Sequence, residues 1–422
     1  MWLNSHLQDE ILTLRALRLY YILWYNTKRY NVISHSRKYF DGGFSMNNPF
    51  YYGQVATGND FTNRKKEIKE LKRDLENGGR IFLISPRRYG KTSLAVNVLE
   101  KLKKKNIFTI YFDVYNITSL EQFITHYARA IARASETKTE SMIRFIRETI
   151  PSLRPNVTIN SDGEISVGIE ALPPKNTLSL LLKDILDMPQ KIAEKKGKKF
   201  AIVFDEFQEI RTIGGEVLEK MMRASFQRQK DVGYLFAGSK QHIMTDMVLN
   251  KTKPFYKMGK VRFLDKIPDN ELRNFIVTKF RDSHKTINDE TLDDIIKISH
   301  GIPYYTIYLC HEIWNESIES KTIMPNSIGA ALKNIISGLS PIFISIWDSL
   351  TLSQRNLLQV IAVFGGINLF SKDFITTRHL GSASSVQKSV KLLINKNVLE
   401  KNNDGYHFTD IWFKEWIKKN AA

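Results

Sequence analysis

Residues 81–94 read Ile-Phe-Leu-Ile-Ser-Pro-Arg-Arg-Tyr-Gly-Lys-Thr-Ser-Leu: an apolar, β-favouring run, a short loop, then a helical pattern. This layout leaves the chain little freedom. The strand must be buried, and the first N–H groups of the helix must point into the loop without intrahelical partners. Loop amides and the positive helix end then form a cradle for an anion such as a triphosphate. In that reading Lys91 reaches the outer phosphates and the Thr92 hydroxyl ligates Mg²⁺. The expected nucleotide-binding residues are Ser85, Pro86, Arg87, Arg88, Tyr89, Gly90, Lys91, Thr92 and Ser93. Ser85 stands where the phosphate-loop pattern has glycine, which puts a Cβ at the first turn.

A second motif lies at 199–208, Lys-Phe-Ala-Ile-Val-Phe-Asp-Glu-Phe-Gln. Its apolar run reads as a strand buried on both faces, as in a parallel sheet. Two carboxylates at the end of such a strand are costly unless they meet a cation or hydrogen-bond donors. That sheet edge is also where open α/β folds bind ligands. Asp205 therefore suits the partner of Mg²⁺, and Glu206 a base that orients or deprotonates an attacking water. The alternative is an acidic pair that only caps a helix.

A chain of 422 residues is expected to hold two to three domains. Its +18 net charge favours nucleic acid or an anionic surface as a partner. The single cysteine, Cys310, excludes an internal disulfide framework and a cysteine-based metal site, which fits a reducing cytoplasm. The nine histidines show no ligand-like spacing. No apolar run approaches the roughly 20 residues of a membrane span. Residues 1–45 have three readings: an interfacial or partner-binding helix, a disordered extension, or a start placed too early, with Met46 as the true beginning. The last is preferred, because a coherent domain opens just after it.

The pattern predicts an α/β fold with a doubly wound parallel sheet over 46–265. Its strands are expected at 81–85, 108–114, 199–204, 233–239 and 261–264, with helices at 91–104, 118–134, 139–149, 176–195 and 214–229. A β-hairpin at 156–171, turning at Ser161-Asp162-Gly163, is inserted. Residues 266–338 read as a helical lid, with helices at 269–283, 288–298, 303–317 and 325–337. Residues 339–422 read as a winged helix-turn-helix, with helices at 353–364, 371–379 and 383–396 before a two-stranded ribbon.

From Asn47 onward the chain resembles the archaeal-type ATPase family, a branch of the STAND and AAA+-like P-loop NTPases. Phe61-Thr62-Asn63-Arg64 with Glu67 and Leu71 resembles its opening segment, and Pro86 to Leu94 its Pro-Arg-Arg-x-Gly-Lys-Thr-Ser-Leu loop. Asp205-Glu206-Phe207-Gln208 resembles its acidic motif. Gly238-Ser239 with Met244 and Met247 resembles its sensor strand and following helix, and Gly301-Ile302-Pro303-Tyr304-Tyr305 its lid motif. The resemblance implies that Phe61 and Arg64 lie near adenine and that Ser239 senses the γ-phosphate. It also implies that Pro303 starts a lid helix beside the nucleotide. The family places an arginine soon after Pro-x-Tyr; here Pro254-Phe255-Tyr256 is followed by Lys257, and the first arginine is Arg262.

The expected cofactors are ATP and Mg²⁺. Arg87 and Arg88 have two readings, phosphate contact or pairing with acids across a domain interface. Ser384, Ser385, Gln387, Lys388 and Lys391 suit contacts to double-stranded DNA, with a protein-docking winged helix as the alternative. The expected function is a slow Mg-dependent ATPase switch acting on DNA or a protein partner. The main rival is a non-hydrolysing DNA-binding regulator with a structural or degenerate nucleotide site. A small-molecule kinase is disfavoured by the Asp-Glu pair and the appended winged helix.

Overall fold

The computed structural model describes residues 47–135, 153–159, 165–171, 178–402 and 405–420. Expectations for residues 1–45, for a helix at 139–149 and for the turn at Ser161–Gly163 lie outside them. In chain order the first unit comprises α1 (Lys65–Glu76), β1 (Arg80–Ile84), α2 (Lys91–Lys103), β2 (Phe108–Asp113), α3 (Leu120–Ser135), β3 (Leu153–Ile159), β4 (Ile165–Ala171), α4 (Leu178–Lys196) and β5 (Phe200–Asp205). It continues through α5 (Ile210–Ile213), α6 (Gly215–Phe226), β6 (Val232–Gly238), α7 (Gln241–Leu249) and β7 (Lys260–Phe263). Strands β3 and β4 pair antiparallel with Val157 opposite Val167, the expected hairpin.

The remaining five strands form a parallel sheet in the order β2-β5-β6-β1-β7. Side-chain alternation divides it into two unequal faces. Phe82, Phe200, Phe204 and Phe236 enter an aromatic core that also takes buried residues of α3, α4 and α6. Ile81, Leu83, Ala201 and Val203 enter a smaller core against α1 and α2. The period of two carries Asp205 onto the same face as Val203, beneath the start of α2. The site's position thus follows from strand register.

The second half comprises α8 (Asp269–Asp282), β8 (Thr286–Ile287), α9 (Asp289–Ile298), α10 (Pro303–Glu316), β9 (Thr322–Ile323), α11 (Pro325–Asp348), α12 (Leu352–Phe364), α13 (Lys372–Thr377) and α14 (Ala383–Asn395). The ribbon strands β10 (Leu399–Asn402) and β11 (Gly405–Phe408) and the helix α15 (Ile411–Asn420) complete it. Three features differ from the sequence reading. Helix α11 does not stop near 337 but runs to Asp348 through Pro341, crossing the expected boundary at 338/339. Phe343 packs on Phe413 at 5.2 Å, and Ser340 accepts from Trp416 Nε1 at 2.9 Å, so both sides of the proline are anchored. This helix is also long and apolar enough, by length and composition alone, to cross a membrane. Interspersed Ser, Gly and Asn residues hid that from a search for an unbroken apolar run. Helix α15, with Trp412, Phe413 and Trp416 buried, was not anticipated.

Residues of α8 to α15 share one continuous core. Phe50 joins it, its ring tilted against that of Phe280 with centroids 4.7 Å apart, and the Tyr52 ring stacks on that of Tyr308 at 4.0 Å. Phe50 and Tyr52 are thereby tied to α8 and α10.

Candidate functional site

The loop after β1 lies at the carboxyl edge of the sheet. Gly90 caps α2 with φ +84°, and Arg88 is also left-handed at φ +71°. A Cβ at Gly90 would meet nothing within 4 Å, so glycine is favoured there by backbone conformation rather than by space. Ser85 is not among the left-handed residues. Its N–H donates to the Gly238 carbonyl at 3.2 Å and its hydroxyl to Pro86 O at 3.2 Å. The Cβ that sequence comparison marks as a departure therefore carries no left-handed penalty.

The two motifs meet at one corner. Thr92 Oγ1 donates to Asp205 Oδ2 at 2.7 Å, and Tyr111 Oη donates to the same oxygen at 2.7 Å. The Glu206 N–H donates to Asp205 Oδ1 at 2.9 Å, and Lys91 Nζ lies 3.2 Å from Oδ1. Lys91 also reaches Glu206 Oε1 at 3.4 Å. Glu206, left-handed at φ +49°, receives Ser239 Oγ at 2.7 Å and Gln208 Nε2 at 2.6 Å on its other oxygen.

Burial opposes ionisation of all three charged groups, yet their mutual attraction prevails. Desolvation raises the carboxyl pKa values, but Lys91 and the hydrogen-bond donors hold Asp205 and Glu206 below the usual carboxylate range. Burial lowers the Lys91 ammonium, but the Asp205 and Glu206 carboxylates hold it above its ordinary value. The corner is thus an ionised cation between two anions. A hydroxyl and a carboxylate, both hard oxygen donors, stand together at Thr92 and Asp205. That donor set fits a Mg²⁺ whose remaining ligands are waters and phosphate oxygens. An acceptor that no protein donor fills, Gln208 Oε1, is buried beside Glu206.

The other side of the loop faces away from the sheet. Arg88 forms an ion pair with Asp410 at 2.9 Å, donates to Thr409 O at 3.0 Å and contacts Tyr305 Oη. Tyr305 Oη in turn donates to Thr409 O and accepts from the Ile411 N–H, both at 3.2 Å. The Tyr304 N–H donates to Arg88 O at 3.3 Å. One loop residue thus joins α10 to the segment leading into α15. Arg87 is exposed, and its charge acts on Glu400 of β10.

Residues 61–309 match the family described as "ATPase domain predominantly from Archaea". The chain belongs to that ATPase family. Residues 341–419 match the family described as "Probable winged helix domain". Among solved structures, the Walker-type ATPase of Pyrococcus abyssi is similar at 16% identity, covering 88% of this chain and 99% of its own, with a TM-score of 0.60. The ORC2 protein of Aeropyrum pernix, in ADPNP–ADP complexes, is similar at 13% identity, covering 88% and 96%, with a TM-score of 0.50. At such identities the likeness is one of fold. No curated protein matches the chain.

Within this ATPase fold, Lys91, Thr92, Asp205, Glu206 and Ser239 converge through direct contacts. Ser239 lies just past β6, the strand between β1 and β5. Ser93 Oγ accepts from the Ala56 N–H at 3.0 Å, and Phe61 packs on the α1–α2 core. Buried Arg64 donates to Asp265 O at 2.5 Å and Tyr89 O at 3.4 Å, bracing the loop from below. Pro303 opens α10 beside Arg88. Arg262, the first arginine after Pro-x-Tyr, is committed to Glu70 and Asp74 of α1. Ser384, Ser385, Gln387, Lys388 and Lys391 are exposed on α14. Sequence reading missed Tyr111 and Asp410, and it gave Gln208 no role of its own. Gln208 follows the acidic motif directly, whereas Tyr111 and Asp410 carry no local signal.

Proposed function

We propose that this protein is a Mg²⁺-dependent ATP-binding switch that turns ATP over slowly and couples nucleotide state to its lid and winged helix. The supporting observation is the 2.7 Å contact of Thr92 with Asp205, with Lys91 between the two carboxylates, from motifs 113 residues apart in sequence. With nucleotide present, Lys91 would exchange carboxylate partners for outer phosphate oxygens, and the loop amides would hold the rest. Phe61 and Arg64 would flank the base, and Pro303 would set the lid helix beside it. Thr92 and Asp205 would hold Mg²⁺, whose charge would neutralise that of the phosphates. Glu206, ionised and aimed by Ser239 and Gln208, would take the proton of an attacking water. Ser239 would sense the γ-phosphate through its bond to Glu206. Arg262 is held by α1, so transition-state charge lacks that guanidinium, and slow turnover follows.

The ATPase unit, lid and winged helix would act as three parts, the last two joined by α11. The exposed polar and cationic face of α14 suits phosphate and groove contacts with double-stranded DNA. A cytoplasmic setting suits the buried thiol of Cys310. The deciding experiment compares ATP binding and turnover of wild type and Glu206→Gln. Binding is expected to persist while turnover falls at least ~100-fold. Normal hydrolysis by Glu206→Gln would sink the assignment of the base. A DNA titration across a salt series tests the winged helix: a steep loss of affinity with salt marks phosphate contacts, and no binding at low salt points to a protein partner.

A further inference from the structure

Tyr111 lies on β2, and β5 separates it from β6 and from the strand that feeds the phosphate loop. The parallel register sets it opposite Val203, and the period of two puts Asp205 on the same face one step further along. The phenol therefore reaches diagonally to the neighbouring strand and a buried carboxylate. Its own ring is 38% exposed, so it adds little to the core. A half-exposed tyrosine ordinarily turns its hydroxyl to water and its ring inward. Here the hydroxyl points inward, at the acid.

Each Asp205 oxygen has two donors. Oδ2 takes Thr92 Oγ1 and Tyr111 Oη, and Oδ1 takes the Glu206 N–H and Lys91 Nζ. Two of these four have other work when Mg–nucleotide is bound. Thr92 turns an oxygen lone pair to the cation, and Lys91 turns to phosphate. Tyr111 and the Glu206 amide have no such second task. One holds each oxygen, so together they fix the carboxylate plane.

Resting on the nucleotide-site reading above, we propose that Tyr111 is a positioning residue that orients Asp205 toward Mg²⁺ in the nucleotide complex. Its action passes through Asp205; the phenol itself touches neither cation nor phosphate. Outer hydrogen bonds of this kind tune metal affinity by about 10- to 100-fold.

The test is Tyr111→Phe, which removes one oxygen from a half-exposed ring. Nucleotide affinity in EDTA should stay within about twofold of wild type. Mn²⁺ affinity of the full-length protein–ADP complex, read by electron paramagnetic resonance, should weaken at least ~10-fold. A purely structural tyrosine would lower the melting temperature and leave Mn²⁺ affinity alone. If Mn²⁺ affinity stays within twofold of wild type, while Lys91→Ala loses nucleotide and Thr92→Ala loses Mn²⁺, this inference fails and the site reading stands. If Lys91→Ala and Thr92→Ala also bind like wild type, the site reading itself is overturned.

Discussion

The two sides of the phosphate loop solve opposite problems. On the sheet side, Lys91 and Asp205 are 6% and 3% exposed, and every charge is answered by another from a neighbouring strand or loop. On the outer side, Arg88 and Asp410 are 27% and 25% exposed, and the partners come from α10 and from the winged-helix segment leading into α15. A buried ion pair contributes little net stability but is costly to break, because the survivor is left uncompensated. A pair about a quarter exposed, and so partly screened by solvent, is worth less in either direction. The inner side therefore guards its own geometry. The outer side ties the loop to distant parts at small energetic cost, and that is where movement between parts is cheapest.

The largest effect expected to sharpen this contrast is that of Lys91→Ala. Leaving Asp205 and Glu206 unpaired should lower unfolding free energy by about 3 kcal/mol in urea titrations and abolish ATP binding. A loss of no more than about 1 kcal/mol from Arg88→Ala, with ATP still bound, would preserve the contrast; an equal loss from both variants would break it. The acid dependence comes next. Folded-state pKa values of Asp205 and Glu206 lie below their ordinary values, so their pairing stabilises fully above about pH 5 and is withdrawn as pH falls through the folded values. Wild type should lose its urea midpoint more steeply below pH 4 than Lys91→Ala.

A double-mutant cycle of Arg88→Ala and Asp410→Asn should return a coupling of about 0.5–1 kcal/mol, read by urea unfolding. A coupling near the buried-pair magnitude would erase the distinction between the two sides. Ser85→Gly should have a comparably small effect on stability, a loss of about 0.5–1 kcal/mol, with no gain in nucleotide affinity, because Ser85 is not left-handed. A stabilised Ser85→Gly variant would mean that the first turn is strained.

Local pattern carried most of the ATPase half. The run at 199–204 became β5 and the Gly90-Lys91-Thr92 turn became the start of α2, since both depend on neighbours within a few residues. What pattern could not reach was pairing across the chain. Asp410 lies 322 residues from Arg88, and no spacing rule links them. On β2 the register sets Asp113 opposite Asp205, yet the longer side chain of Tyr111, two residues earlier, reaches the carboxylate diagonally, and no local spacing rule gives that contact. Helix α11 escaped as well: a proline and small polar residues look like a break locally, and only packing against Phe413 and Trp416 keeps the helix continuous.

That unbroken helix has a mechanical consequence. Twenty-four residues of α-helix make a rod of about 36 Å. A tilt of ~10° at its Pro325 end would sweep the Asp348 end, which lies inside the winged-helix match, through roughly 6 Å, so a small turn at one end becomes a shift larger than a hydrogen-bond length at the other.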